Sequence, residues 1–220
     1  AASTEEALSH LDGFDFELEE LRAQLASVEK DLRDLAEQLT QKRQAAAPQL
    51  AQEIEESLRK LGIPEAKFVV ELVPQETLTP SGAELIEFRF AAAQQLTPQP
   101  LARIASGGEM ARVMLSLKAI MAHAQGLPTI IFDEIDTGVS GAVAAQMGVM
   151  LERMAADRQI LNITHLPQIA AHGTHHFFVY KAHTEQGETV SNIRLLTEEE
   201  RVQELAKLLS GEAVTDASLE

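Results

Sequence analysis

The chain has 220 residues, no cysteine and a formal net charge of −16, and 45% of its residues are hydrophobic. Such a length can bury one sizeable core with an appendage, and the absence of cysteine excludes disulfides and thiolate metal sites. The acidic balance gives no support to nucleic-acid binding through bulk charge. The apolar runs are too short to cross a bilayer and no secretory pattern opens the sequence, so we expect a cytoplasmic location without a membrane.

Residues 1–62 are predicted to form a helical arm. Leucines and other apolar residues alternate at spacings of three and four along it, without a break from Leu18 to Leu39. This is the a/d seam of a coiled coil, and it needs a partner helix because a lone helix would expose it. We expect a break near Gly13, a kink or restart at Pro48 and an end at Gly62. The alternative is one helix of a globular bundle.

Residues 63–220 are predicted to form an α/β lobe. Strands are expected at 68–72, 85–90, 129–132, 159–163, 177–180 and 193–196, with a turn at 80–82. Helices are expected at 108–125, 140–157 and 198–209, and a polar loop at 94–100. Since strands and helices alternate, the fold class should be α/β with a mostly parallel sheet and flanking helices.

A Ser-Gly-Gly turn opens the first helix of this lobe. Ser106, Gly107 and Gly108 would let the backbone approach a ligand closely, and the first helical turn offers free N–H groups and a partial positive charge. With the serine hydroxyl as a further donor, the pattern suits a phosphate. Taken alone, it also fits an ordinary turn before a helix.

Two adjacent acids end the apolar strand at 129–132. Ligands bind beyond the carboxyl ends of buried parallel strands, where acids are costly unless they are used. Asp133 suits the water shell of Mg²⁺, and Glu134 suits polarisation of an attacking water. The alternative is a pair of solvated loop acids or helix caps.

Asp136 and His165 extend this candidate site. Asp136 lies in the loop after the two acids, beside the flexible Gly138, and is a candidate bridge to a neighbouring protomer. His165 ends the next strand and is a candidate for contacting a γ-phosphate or positioning water. An ordinary turn and a solvated histidine are the alternatives. The remaining histidines receive no role, because no acid or cysteine completes a metal site at ligand spacing.

These motifs, in this order, resemble the ABC-type ATPase heads of the structural-maintenance-of-chromosomes (SMC) class. The signature is at 105–109, the Walker B strand at 130–134, the D-loop at 135–138 and the switch histidine at His165. Within the class, the residues from His165 to Gln168 and the runs 105–118, 131–141 and 163–171 are most similar to the RecN family of bacterial DNA-repair proteins. The resemblance implies the C-terminal half of a head, preceded by the returning arm of an antiparallel coiled coil.

The resemblance also implies a function. Members of this family bind ATP and Mg²⁺, dimerise through their heads and act at DNA ends in recombinational repair of double-strand breaks, at the bacterial nucleoid. The signature would contact the nucleotide of the opposite head, while the Walker B acids and the switch histidine serve their own. The implied residues are Ser106, Gly107, Gly108, Glu109 and Asp136 for the nucleotide, Asp133 for the metal, and Glu134 and His165 for catalysis.

The sequence departs from the family in extent. No G-x-x-x-x-G-K-[ST] phosphate loop occurs in the 220 residues. We therefore expect an N-terminal half-head carrying this Walker A loop as a partner, and no ATPase activity from the chain alone. The alternatives are another SMC-class chromosome-organising ATPase, a transporter ATPase subunit and a non-catalytic coiled-coil scaffold.

Overall fold

The computed structural model of the chain describes the backbone of residues 2–104, 106–183 and 188–210 and the side chains of residues 17–104, 106–122, 124, 126–182 and 188–210. The chain divides into two compact units, Ala1–Ala51 with Val69–Arg89 and Gln52–Phe68 with Phe90–Glu220. The first contains most of a long helix and a β-hairpin, and the second contains the alternating strands and helices.

The elements follow one another along the chain without long gaps. The helices are α1 (Ala2–Lys60), α2 (Gly107–Gln125), α3 (Gly141–Met154), α4 (Pro167–Ala170) and α5 (Glu198–Ser210), with a 3-10 turn at Leu101–Arg103. The strands are β1 (Lys67–Thr79), β2 (Gly82–Ala91), β3 (Gln99–Pro100), β4 (Thr129–Asp133), β5 (Gln159–Ile163), β6 (Phe177–His183) and β7 (Thr189–Leu195).

The helix α1 is longer and more continuous than the sequence indicates. It runs through both Gly13 and Pro48, so the expected break and the expected restart are wrong. An interior proline costs a helix about 3 kcal/mol relative to alanine. The three alanines that precede Pro48 are strong helix formers, and the helix propagates on both sides of it.

The apolar seam of α1 faces solvent in this chain. Leu39 is half-buried, whereas six of the described members are 45–61% exposed: Leu18, Leu21, Leu25, Val28, Leu32 and Leu35. The side chains of Leu11 and Phe14, which the sequence assigns to the same seam, lie outside the described residues. A partner helix that would cover this seam stays a prediction.

A buried carboxylate joins the hairpin to α1 inside the first unit. Glu84 of β2 is only 7% exposed and accepts a hydrogen bond from Thr40, while Arg43 Nη1 lies 3.2 Å from its second oxygen. Arg43 Nη2 also donates to the carbonyl of Ser81 at 2.7 Å. The turn needs glycine, because Gly82 has a φ of +106°. This unit is therefore tied together by a buried ion pair as well as by the strands.

The second unit contains a parallel strand pair. β4 and β5 are parallel in the register Thr129 with Gln159 to Asp133 with Ile163, as the sequence predicts. The apolar core packs on one side of this pair and includes Leu61, Leu115, Phe132, Ala144, Met147, Leu151 and Ile169. Helix α3 supplies three of these core residues, and α2 and α4 supply one each, so helices cover this face of the strand pair.

The expectation of a mostly parallel sheet holds for β4 and β5 but not for the last two strands. β6 and β7 form an antiparallel pair, from Phe177 with Leu195 to His183 with Thr189. Five residues separate them in sequence, whereas a parallel connection needs a crossover of about a dozen residues or more. The sequence also missed β3 in the expected loop and the four-residue helix α4. Among the described helices, none combines the length and apolar character that a membrane span requires.

Candidate functional site

The Ser-Gly-Gly turn forms the start of α2. Ser106 is the N-cap residue, and its hydroxyl accepts a hydrogen bond from the N–H of Glu109 at 3.4 Å. This satisfies one free donor of the first turn. Gly107 is exposed, and a Cβ built on it would meet nothing within 4 Å in the described part of the chain. Ala105 lies outside the described residues.

The signature turn and the D-loop touch each other through their backbones. A Cβ built on Gly108 would lie 2.7 Å from the carbonyl oxygen of Gly138, so only glycine fits there. Gly138 itself has a φ of +74°. Arg112, one turn along α2, donates to the carbonyls of Gly108 at 2.9 Å and Leu61 at 3.0 Å. The start of α2 and the D-loop are therefore in close backbone contact.

The two acids lie at the carboxyl end of β4. Asp133 is the last residue of the strand and is exposed, and Glu134 follows it with a φ of +48°. A left-handed conformation costs a residue with a side chain about 1–3 kcal/mol. The conformation is held by a bond from Glu134 N–H to the Ile163 carbonyl at 3.3 Å and by Thr137, whose hydroxyl donates to the Glu134 carbonyl at 3.0 Å. The surrounding structure therefore maintains backbone strain at the predicted catalytic base.

Asp136 is turned into its own chain. It is 1% exposed, and its Oδ2 accepts a hydrogen bond from the hydroxyl of Thr164 and lies 4.0 Å from Nδ1 of His165. Its Oδ1 is buried and accepts no hydrogen bond from any residue that the structure describes. The sequence suggests Asp136 as a bridge to a second protomer, whereas here its contacts are with the end of β5. Sequence reasoning missed Thr164, although it lies directly before the singled-out histidine.

His165 completes the group. Its side chain is 70% exposed, just beyond the carboxyl end of β5, and β5 is the hydrogen-bonded neighbour of β4. Because parallel strands end at the same edge of a sheet, Asp133, Glu134, Asp136 and His165 gather at one edge. The Ser106 turn is linked to that edge through the contact of its helix with the D-loop.

The acids present suit a magnesium ion that keeps most of its water. Within the described residues, no group of three or more histidine, aspartate or glutamate side chains is arranged to hold a metal. Mg²⁺ commonly takes one or two carboxylates and completes its shell with waters and phosphate oxygens. The exposed carboxylate of Asp133 is such a ligand, so the donor set fits this ion in the presence of a nucleotide.

The histidines after α4 lie apart from this edge. His172 Nδ1 lies 2.7 Å from Oε2 of Glu152 in α3. Gly148 of α3 packs against the same histidine ring. Burial, and after it the positive charge of Arg201, lowers the pKa of His176. These residues connect α3, α4 and α5 and have no contact with the candidate site among the described residues.

The fold is similar to that of the ATPase heads of the SMC class. One similar solved structure comes from work on the ATP-driven dimerisation and DNA-stimulated activation of SMC ATPases. It superposes on this chain with a TM-score of 0.52. It is 19% identical and covers 74% of this chain and 93% of the other, so it supports the fold alone. No family model matches the sequence.

Curated relatives identify the family within that class. DNA repair protein RecN of Haemophilus influenzae is 39% identical over 182 residues, which are 82% of this chain and 32% of the relative. RecN of Bacillus subtilis is 33% identical over 231 aligned positions, which cover 98% of this chain and 40% of the relative. The chain belongs to the RecN family of DNA repair proteins. It spans about a third to two fifths of the length of these relatives.

Proposed function

We propose that this chain supplies the signature, the Walker B acids, the D-loop and the switch histidine of a RecN-type head, which binds and hydrolyses ATP between two heads in repair of DNA double-strand breaks. The proposal is supported above all by the backbone conformation of Glu134, which has a φ of +48° at the carboxyl end of β4, next to Asp133. Strained conformations that a structure maintains in this way cluster at functional sites.

One side of the proposed reaction belongs to the edge of β4 and β5. Asp133 would bind Mg²⁺, which neutralises the charge that develops on the transferred phosphate. The Glu134 carboxylate is exposed, so it can accept a hydrogen bond from the attacking water and orient it. His165 lies just beyond the end of the neighbouring strand, from which it would reach the same phosphate.

The other side belongs to the start of α2 and serves the opposite head. Gly107 is exposed and has open space around it, and the first turn of α2 presents N–H groups that favour a phosphate. The SMC ATPases of the similar structure are described as dimerising in response to ATP, and we propose the same for two RecN-type heads. The backbone contact between Gly108 and Gly138 would couple the closing surface to the D-loop.

In this proposal the Walker A loop comes from another segment. The 220 residues contain no G-x-x-x-x-G-K-[ST] sequence, so we propose an N-terminal half-head as the partner that holds the triphosphate. The exposed seam of α1, from Leu18 to Leu35, would pair with a second arm helix of that partner. DNA ends would bind to the complete protein, in the cytoplasm at the nucleoid.

The test is Mg²⁺-dependent ATP turnover of this chain alone and after mixing with a half-head that carries Walker A, over a range of concentrations. We expect no turnover from the chain alone and turnover in the mixture that rises faster than linearly with concentration. Glu134→Gln in the mixture should remove that activity. If both pieces fold and associate but the mixture hydrolyses no ATP, the catalytic proposal is wrong and a coiled-coil scaffold replaces it.

A further inference from the structure

A buried acid lies behind the switch histidine. Asp136 is 1% exposed, and a charged group is seldom buried to this extent without satisfied partners. Its Oδ2 is bonded to the Thr164 hydroxyl, while its Oδ1 has no donor in the described part of the chain. An acceptor left unpaired in the interior is destabilising, so Oδ1 is the atom of this acid that a structural role leaves unexplained.

Thr164 links this acid to the backbone on both sides of the histidine. Its hydroxyl donates to Asp136 and accepts a hydrogen bond from the N–H of Leu166 at 3.0 Å. The Thr164 hydroxyl therefore connects the Asp136 carboxylate to the backbone of Leu166, and His165 is the residue between Thr164 and Leu166. Asp136 is itself held, since its carbonyl accepts from the N–H of Val139 at 3.0 Å.

The histidine ring is close to the same carboxylate but is not yet bonded to it. Nδ1 of His165 lies 4.0 Å from Oδ2 of Asp136, which is longer than a hydrogen bond. A movement of about 1 Å would bring the two atoms within bonding distance, and catalytic hydrogen bonds are often long before substrate binds. With Nδ1 directed at Asp136, the Nε2 atom becomes the outward-facing atom of the ring.

We propose that Asp136 and Thr164 are positioning residues, which hold His165 so that its Nε2 faces the nucleotide phosphate. This inference rests on the proposed function, because it assumes that His165 acts on that phosphate. It gives Asp136 a role within its own head. When nucleotide binds, the His165 ring would move toward this carboxylate and form a hydrogen bond with it. Oδ1 has no donor in the described part of the chain, and Oδ2 lies 4.0 Å from Nδ1.

The test compares threonine variants in a complete head, formed by this chain and the Walker A half-head. Thr164→Val should lower kcat by about 10²-fold with little change in KM for ATP, because a catalytic group misplaced by 1 Å loses roughly that much. Thr164→Ser keeps the hydroxyl and should retain most of the activity. Thr129→Val is the matched control, since Thr129 bonds to Gln159 at the opposite end of the same strand pair.

A second readout follows the histidine itself. In the complete head with nucleotide bound and this chain labelled with ¹⁵N, the Nδ1 signal of His165 should move in Thr164→Val and in Asp136→Asn and stay unchanged in Thr129→Val. Asp136→Asn serves as the independent variant if Thr164→Val does not fold. An unchanged Nδ1 signal in the folded variants, or equal kcat for Thr164→Val and Thr129→Val, would overturn the positioning role.

His165→Ala separates this inference from the proposed function. If His165→Ala abolishes turnover while Thr164→Val has no effect, the function of His165 stands and the positioning role is overturned. If His165→Ala leaves turnover intact, the proposed function of His165 fails and the inference fails with it. Loss of turnover in His165→Ala and Thr164→Val, with rescue by Thr164→Ser, supports both.

Discussion

Substitution by alanine should lower the stability of the chain at Gly108 but not at the neighbouring Gly107. In Gly108→Ala the new Cβ would lie 2.7 Å from the Gly138 carbonyl oxygen, about 0.7 Å short of ordinary van der Waals contact. Both partners are backbone, so neither can move aside as a flexible side chain would. Overpacking of this kind costs about 1–3 kcal/mol.

Gly107→Ala is the matched control, because its Cβ would meet nothing within 4 Å in the described residues. Both substitutions place alanine in the first turn of α2, where it gains up to about 1 kcal/mol over glycine. The difference between the two variants therefore isolates the backbone clash, and Gly108→Ala should be less stable by about 1–3 kcal/mol.

The assay is urea unfolding of both variants, followed by far-ultraviolet circular dichroism. In the complete head, Gly107→Ala should fold as wild type but lose ATP turnover, because its methyl group lies on the face proposed to contact the opposite nucleotide. Equal free energies of unfolding for the two variants would refute the predicted backbone clash at Gly108. Wild-type turnover in Gly107→Ala would remove that face from the nucleotide site.

Three further changes follow from individual contacts. Glu134→Gln in the complete head should retain ATP binding, measured by equilibrium titration, and lose turnover; an unchanged kcat removes the base role. Glu84→Ala leaves Arg43 without its buried partner and should lower the urea-unfolding free energy by about 3 kcal/mol, whereas Glu84→Ala combined with Arg43→Met should recover part of it. Burial lowers the pKa of His176 in the folded chain, so as the pH falls this histidine is protonated in the unfolded chain before it is protonated in the folded one. The free energy of unfolding should therefore decrease as the pH falls below about 6.5. His176→Gln should flatten that urea-unfolding profile, and an unchanged slope would contradict this assignment.

The parts of the fold that sequence could predict are those governed by local periodicity. β5 has the predicted bounds, and α2 and β4 differ from expectation by one residue each. The two acids after β4 and the histidine after β5 could be placed at one sheet edge because parallel strands end together. That placement depends only on strand direction and on the order of the elements.

The parts that sequence could not predict depend on tertiary contacts. The intrinsic cost of Pro48 indicates a helix break, but it does not include the propagation of the helix on both sides. Thr164 is an ordinary strand-end residue until the fold brings the buried Asp136 to its hydroxyl. The close approach of Gly108 to Gly138 joins residues 30 positions apart, and no spacing rule indicates it.

We propose that each ATP site combines the signature of one head with the acids of the other. Complementation between two inactive complete heads tests it directly. One carries Ser106→Arg and the other Glu134→Gln, so that a mixed dimer has one intact site and one doubly defective site. With random pairing, the mixture should regain about a quarter of wild-type turnover while each variant alone has almost none. A mixture no more active than its separate components, with dimer formation demonstrated, would contradict the composite site.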